Sequence, residues 1–402
     1  MADQTRDRLV VAKGVFGPMG GAEMDLIRVL PAISRIFEVS MATIQTSPEL
    51  EEACSKHGIT LISPDSNWEL STDPLSVIMD SGRGTASKAW ASCAGLGEAM
   101  ASADALHLVS GDGSLPLLDH VPEVLRVHLH LLEPHRGLYE DTLHRLVDGT
   151  PKRNLSLTKA ALSRARKRDQ ALMASLLSME GSRVSGNSTF SAERAKEVYG
   201  ADAGVLWPCV DTEEFPQDPS GDPENPYPGN DEYVVCIGRA SWAKGTWETV
   251  SMLSGTGLSL THVGGGDDRS LEMLKAHADS SGVGMWVAPR LTSPELVSLM
   301  RSARAVVSMA HRESFGLTPI EAFAVGTPAL FVNEGGFRDT IRDGENGRLI
   351  GREDIPSWHS ALEQAAEPTT RDSWAESGRR RIEELDLSPD AHARRIRDTI
   401  RN

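Results

Sequence analysis

Short apolar runs alternate with longer stretches of helical periodicity along nearly the whole chain, the pattern of parallel strands joined by helices. Leu9, Val10, Val11 and Ala12 read as a buried strand. A glycine-rich loop from Gly14 to Gly21 follows, then an amphipathic helix with Leu26, Val29, Leu30 and Ile33 on one stripe. Further strands are expected at 38–44, 59–62, 105–109, 124–130, 183–185 and 205–207, with mostly helical connections. At 216–230 the alternation stops in a segment with five prolines, which suits neither a sheet interior nor a helix and reads as a semi-rigid linker. It restarts with strands expected at 233–237, 258–263, 283–288, 305–309 and 328–332. The last thirty residues carry Arg and Glu at helical spacing, with Trp374, Ile382, Leu385 and Ile396 as apolar members. They suit a docking helix or a solvated one.

The length of 402 residues supports two such α/β units, each with its own core. With 41 Lys and Arg against 57 Asp and Glu, the net charge of -16 argues against a general nucleic-acid binder. Cys54, Cys93, Cys209 and Cys236 have no metal-ligand spacing, which excludes a zinc knuckle, and they suit a reducing compartment. No signal segment or apolar run of membrane-spanning length is found, so a cytoplasmic protein is expected.

Candidate chemistry concentrates at strand ends in the second half. His311-Arg312-Glu313-Ser314-Phe315-Gly316-Leu317-Thr318-Pro319-Ile320-Glu321 follows the strand expected at 305–309, at the sheet edge where open α/β folds bind ligands. Two carboxylates, Glu313 and Glu321, flank a glycine-containing turn whose free amides open a helix, a setting for phosphate oxygens. Read alone, Glu321 is equally the carboxylate of a capping box begun by Thr318, and Glu313 a solvated loop acid. After the strand expected at 233–237 comes Gly238-Arg239-Ala240-Ser241-Trp242-Ala243-Lys244-Gly245, two cations bracketed by glycines. An Arg fork and a mobile Lys ammonium suit a diphosphate, although each alone is an ordinary surface cation. A third loop, Gly264-Gly265-Gly266-Asp267, lets backbone approach a ligand or simply makes a turn.

The Glu-x7-Glu spacing, the Gly-Arg and Lys-Gly pairs, the glycine-rich strand end and the run Asn333-Glu334-Gly335-Gly336-Phe337-Arg338-Asp339 with Glu345-Asn346-Gly347 together resemble the GT-B glycosyltransferases. The likeness is to the retaining family 4, the glycogen synthase and mannosyltransferase-like group. Val184-Ser185-Gly186-Asn187-Ser188 with Ala192-Glu193-Arg194, and Trp207-Pro208-Cys209-Val210-Asp211-Thr212-Glu213-Glu214-Phe215, extend it upstream. The resemblance implies two Rossmann-like, doubly wound parallel-sheet α/β domains facing a central cleft. An acceptor-binding domain over 1–215, the linker 216–230, a donor domain over 231–375 and a C-terminal helix over 376–402 docking back on the first domain are expected.

It further implies a hexose transfer from a nucleoside-diphosphate sugar, UDP- or GDP-linked, as co-substrate, without a metal ion. Gly238, Arg239 and Lys244 would meet the departing diphosphate, with Gly265 nearby. Glu313 would hold the sugar hydroxyls and Glu321 the ribose, while Phe315, Gly316 and Leu317 supply amides. The base would lie along 287–291, with Arg290 and Leu291. Same-face displacement is the implied mechanism, in which the leaving phosphate deprotonates the acceptor.

In the first half, Gly20-Gly21-Ala22-Glu23 matches the loop that faces the diphosphate, and is equally a tight turn when read alone. A dinucleotide fingerprint fits badly: the glycine spacing is wrong and Pro18 interrupts it. The segment from Val127 to Glu140 resembles the family's His-containing acceptor-side loop. His128 and His130 alternate along its strand and so point the same way. The resemblance implies that one faces donor sugar or acceptor, His130 being preferred, although a histidine on a strand read alone is more often structural. The basic, leucine-bearing stretch 151–177 suits an anionic membrane surface or, more simply, a solvated helix face. Three functions are therefore carried forward: transfer to a small or soluble acceptor, transfer to a lipid-linked acceptor, and an idle nucleotide-sugar-binding or partner-binding module.

Overall fold

A computed structural model describes residues 6–17, 19–69, 81–211, 214–216 and 218–401. Pro18, Thr212, Glu213 and Gln217 lie outside the described residues. The chain divides into two compact units, one of Met1–Tyr139, Ser156–Cys209 and Leu387–Asn402, the other of Glu140–Leu155 and Val210–Asp386.

The first unit holds β1 (Arg8–Ala12), β2 (Glu38–Ala42), β3 (Thr60–Ile62), β4 (Ala105–Val109), β5 (Arg126–Leu131), β6 (Arg183–Gly186) and β7 (Gly204–Val205) in one sheet. Their order is β3-β2-β1-β4-β5-β6-β7 and every pairing is parallel. Continuous apolar runs suit this arrangement, because helices cover both faces of a parallel sheet. Leu9, Val10, Val11 and Ala12 are all buried. The helix Gly21–Ile36 packs the predicted stripe Leu26, Val29, Leu30 and Ile33 inward, each such burial contributing about 1.5–3 kcal/mol.

The second unit holds β8 (Tyr233–Ile237), β9 (Ser259–Val263), β10 (Met285–Val287), β11 (Val306–Ser308), β12 (Ala329–Val332) and β13 (Arg348–Ile350). Their order is β10-β9-β8-β11-β12-β13, again all parallel. The strand β13 was not expected: it is three residues long, opens on an arginine and lies at the sheet edge, so it leaves no apolar run to read.

Three stretches took forms the pattern did not specify. The proline-rich segment from 218 to 230 is tied to the second unit. Arg301 Nε donates to Asp222 Oδ2 at 2.7 Å, Ser298 Oγ donates to the Pro223 carbonyl at 2.9 Å, and the Tyr227 and Tyr233 rings lie 4.2 Å apart. The basic stretch forms two helices, Leu155–Ala161 and Ser163–Ser178. Leu172 and Leu176 of the latter enter the core, and Arg166 donates to the carbonyls of Leu138 and Lys159. The tail forms two helices that part company at Asp386. Pro368–Leu385 stays with the second unit, whereas Pro389–Arg401 lies against Gly21–Ile36 and buries Ala393 and Ile396 in the first.

Candidate functional site

In the second sheet the strand order reverses at β8, with β9 on one side and β11 on the other. The connections leaving β8 and β11 therefore diverge and open a crevice at the carboxyl edge, the place where such sheets bind ligands. Both charged segments singled out in the sequence sit on these connections.

After β8 the chain makes a short 3₁₀ turn, Trp242–Lys244, and enters the helix Thr246–Leu253 through Gly245 at φ 65°. A Cβ on Gly245 would stand 1.9 Å from the Met309 carbonyl oxygen, so only glycine permits this approach to the end of β11. His311 N donates to the Ala243 carbonyl at 2.9 Å and ties the two connections together. Across them Lys244 Nζ donates to Glu313 Oε2 at 2.6 Å. The Lys244 stem runs over Gly238, where a Cβ would stand 3.2 Å from its Cγ. Arg239 is exposed beside it.

The glycines of the third loop divide their roles. A Cβ on Gly264 would meet the Gly238 carbonyl at 2.7 Å, and one on Gly266 would meet the Ala240 side chain at 2.6 Å. These two glycines admit the neighbouring loop, whereas Gly265, at φ 63°, faces open space. Its carbonyl accepts from Ala240 N at 2.7 Å. Arg290 and Leu291 lie between β10 and the helix Ser293–Ser302, with Arg290 exposed and Leu291 partly so.

The turn after β11 carries Arg312 at φ 49°, one of two described non-glycine residues with positive φ. The segment Asn333–Gly336 supports it: Gly336 N donates to the Glu313 carbonyl at 2.8 Å. The Phe315 side chain is buried, whereas Gly316 and Leu317 are partly exposed. The helix Thr318–Val325 starts with Leu317 as its N-cap and no side-chain cap. Thr318 is thus already inside the helix and does not form the capping box that its spacing to Glu321 offered. Glu321 sits half-buried in the first turn.

Sequence reasoning missed a group of charges behind this turn. His311 Nε2 pairs with Glu248 Oε2 at 2.7 Å, and Arg352 bridges Glu248 and Glu334 at 2.9 Å each. Burial works to raise the Glu334 carboxyl, yet the Arg352 hydrogen bond and charge outweigh it and hold it below the ordinary carboxylate value. Glu248 and Arg352 lie 104 positions apart in the chain, a separation no motif spacing encodes.

The first-unit candidates fall in two places. Gly20 and Gly21 are exposed at the start of the helix Gly21–Ile36, and Glu23 in its first turn pairs with buried Lys13 at 2.8 Å. His130 does not reach an exposed edge. It is 1% exposed, with Nε2 on the Leu206 carbonyl at 3.0 Å, and its ring lies 5.8 Å from that of His392. His128 is as buried, with Nδ1 3.1 Å from His107 Nδ1 and Nε2 3.0 Å from Ser185 Oγ. β5 is buried from Val127 to Leu131 and only Arg126 at its start is exposed, so both histidines sit in the core, as the structural alternative has it, and neither opens onto the surface as a residue facing sugar or acceptor would. Burial first, then the neighbouring imidazoles, holds His130 well below the ordinary histidine value and His128 down to about 3.

Among the described residues no three His, Cys, Asp or Glu side chains are grouped to hold a metal ion. No described helix is long and apolar enough to cross a membrane. The arrangement offers a lysine and an arginine at a strand-end crevice, helix-opening amides and two carboxylates, a set suited to a phosphate ester bearing hydroxyls.

Comparison with known proteins agrees with that chemistry. Residues 220–381 match the family Glycosyl transferases group 1. The match lies within the second unit. Two curated relatives are D-inositol 3-phosphate glycosyltransferases. The protein from Rhodococcus erythropolis is 30% identical over 209 residues, 48% of this chain and 47% of that one. The protein from Paenarthrobacter aurescens is 44% identical over 75 residues, 19% of this chain and 18% of that one. The matches thus span less than half the length of either relative. Among solved structures, the sucrose-phosphate synthase of Thermosynechococcus elongatus superposes with a TM-score of 0.71 at 17% identity, over 98% of each chain. Anabaena HepE in complex with UDP and glucose gives 0.65 at 14%, over 99% of this chain and 100% of that one. The whole chain therefore has the GT-B type of fold, two parallel-sheet α/β units.

Proposed function

We propose that this chain is a retaining, metal-independent hexosyltransferase that moves a sugar from a UDP- or GDP-linked donor to a hydroxyl of a small or soluble acceptor. The observation that carries the reading is the meeting of Lys244 and Glu313 at 2.6 Å across the point where the second sheet reverses. Lys244 and exposed Arg239 neutralise the diphosphate as it departs, which is the largest electrostatic demand of the reaction. Glu313 accepts from the sugar hydroxyls once Lys244 turns to the phosphate, and Glu321 accepts from the ribose. Phe315, Gly316 and Leu317 offer backbone amides, and Gly265 leaves room beside Gly238.

In the displacement the bond from the anomeric carbon to the phosphate oxygen breaks while the acceptor oxygen bonds on the same face. The acceptor's proton passes to the departing phosphate. Relatives named for inositol 3-phosphate favour a polyol acceptor over a lipid.

The test is transfer from a panel of nucleotide sugars to polyols, sugars and their phosphates, with the product's anomeric configuration read by NMR. Lys244→Ala is expected to lower the rate by about 10²–10³ with the fold intact. A fully active Lys244→Ala variant would remove this assignment. Nucleotide binding without transfer to any acceptor would favour the binding-module reading.

A further inference from the structure

The charges behind the Glu313 turn join four separate strand ends. Glu248 comes from the helix after β8, His311 from the end of β11, Glu334 from the end of β12 and Arg352 from the end of β13. The Arg352 guanidinium uses its full fork. Nε and Nη2 donate to the two oxygens of Glu334 at 3.0 and 2.9 Å, and Nη1 donates to Glu248 Oε1 at 2.9 Å and to the Met309 carbonyl at 2.7 Å. Nη2 also reaches the Ala310 carbonyl at 3.4 Å. The second Glu248 oxygen holds His311, whose ring stacks on Trp242 at 4.6 Å.

Stability alone is a poor reason to keep such a group. The Arg352 and Glu248 side chains are only 13% and 16% exposed, and a desolvated ion network is often no more stable than apolar side chains filling the same space. Its distinctive property is geometric: a planar fork fixes its partners in direction as well as distance. What it fixes here is the turn that carries Glu313. Arg352 binds the two carbonyls that precede the turn, and the chain just after Glu334 lies against it: Gly336 N donates to the Glu313 carbonyl at 2.8 Å, and a Cβ on Gly335 would stand 2.3 Å from the same oxygen. Arg312 holds a left-handed φ of 49°, a conformation that costs a non-glycine residue about 1–2 kcal/mol and needs support from its surroundings. The next residue is Glu313.

We infer that Arg352, through Glu334 and the β11 carbonyls, is a positioning residue that sets Glu313 against the donor's sugar. The inference rests on the donor-site reading above. It adds that recognition of the sugar, as distinct from the nucleoside diphosphate, depends on a side chain from the end of β13 that itself touches no substrate.

Calorimetric titration with UDP, GDP, UDP-glucose and GDP-mannose, together with transfer kinetics, tests it in wild type, Arg352→Met, Arg352→Lys and Glu334→Gln. For Arg352→Met, the Kd and KM of whichever nucleotide sugar the wild type prefers are expected to rise about tenfold or more. The matching nucleoside diphosphate is expected to stay within about twofold, because misplacing one contact group weakens only the contacts it makes. Arg352→Lys restores part of the loss by keeping the charge. If Arg352→Met does not fold, Glu334→Gln carries the same comparison, since it keeps the size and removes the charge. An unchanged preference for nucleotide sugar over nucleoside diphosphate overturns the inference, as does an equal loss of both. Wild type binding none of the four ligands overturns the donor-site reading itself, a result distinct from either.

Discussion

Lys244 and Gly245 are neighbours that meet opposite demands. Lys244 spends a charge on Glu313 across the crevice, and Gly245 gives up a side chain so that the loop can approach Met309 closely enough for that pairing. Gly245→Ala places a methyl group 1.9 Å from a carbonyl oxygen at a φ of 65°, so both sterics and backbone conformation oppose it. The variant is expected to lose about 1–3 kcal/mol of stability, read by urea unfolding, and to weaken nucleotide binding. Gly265→Ala meets no neighbour within 4 Å and bears only the strain of its φ of 63°. It is therefore expected to cost less, about 1 kcal/mol. Equal losses in the two variants would mean that the approach to Met309 is not what Gly245 provides.

Among elements, β5 departs furthest from what its sequence suggests. Its histidines alternate as candidate ligands would, yet they join His107 of β4 and His392 of the helix Pro389–Arg401 in a buried cluster. Burial holds all four below the ordinary histidine value. The unfolded chain therefore takes up protons near pH 6.5 while the folded unit stays unprotonated. Stability is full above pH 6.5 and falls as pH drops below it, by up to about 1.4 kcal/mol per pH unit for each histidine. For His128 the loss continues toward pH 3. Buried Asp25, whose carboxyl is raised by burial, acts in the opposite sense, because its ionisation penalty fades in acid. Four groups outweigh one. Unfolding followed from pH 7 to 5 is expected to show steady loss for the first unit, with a shallower slope in His107→Leu. A flat profile would mean that the cluster takes up protons while folded.

The strands and the Glu313 and Lys244 loops were legible because local patterns encode them: continuous apolar runs, and glycines that end strands. The site of a histidine side chain was not, since period-two alternation says which residues share a face but not what covers it. Here the cover is a helix more than 250 positions away, and the Arg352 network is hidden for the same reason.

For the molecule as a whole, the chain enters the second unit twice and returns for its last helix. The last residues therefore belong to the first unit's core: Ile396 is fully buried with Leu26, Val29 and Ile33. Ile396→Ala is expected to cost that unit about 2–5 kcal/mol, seen as faster hydrogen exchange in Gly21–Ile36. Nucleotide affinity should change little, because Arg239, Lys244, Glu313 and Glu321, the charged side chains proposed to hold the donor, all belong to the second unit. Weakened nucleotide binding in Ile396→Ala would contradict that division.

The central claim, that the crevice between β8 and β11 holds a nucleoside diphosphate through Lys244, is tested most directly by titrating UDP and GDP into wild type and Lys244→Ala. Saturable binding of one nucleotide per wild-type chain is predicted. Removing the charged contact should weaken it by about tenfold to a hundredfold, equivalent to about 1.5–3 kcal/mol. Equal affinity in the two proteins, or no binding to wild type, would contradict the claim.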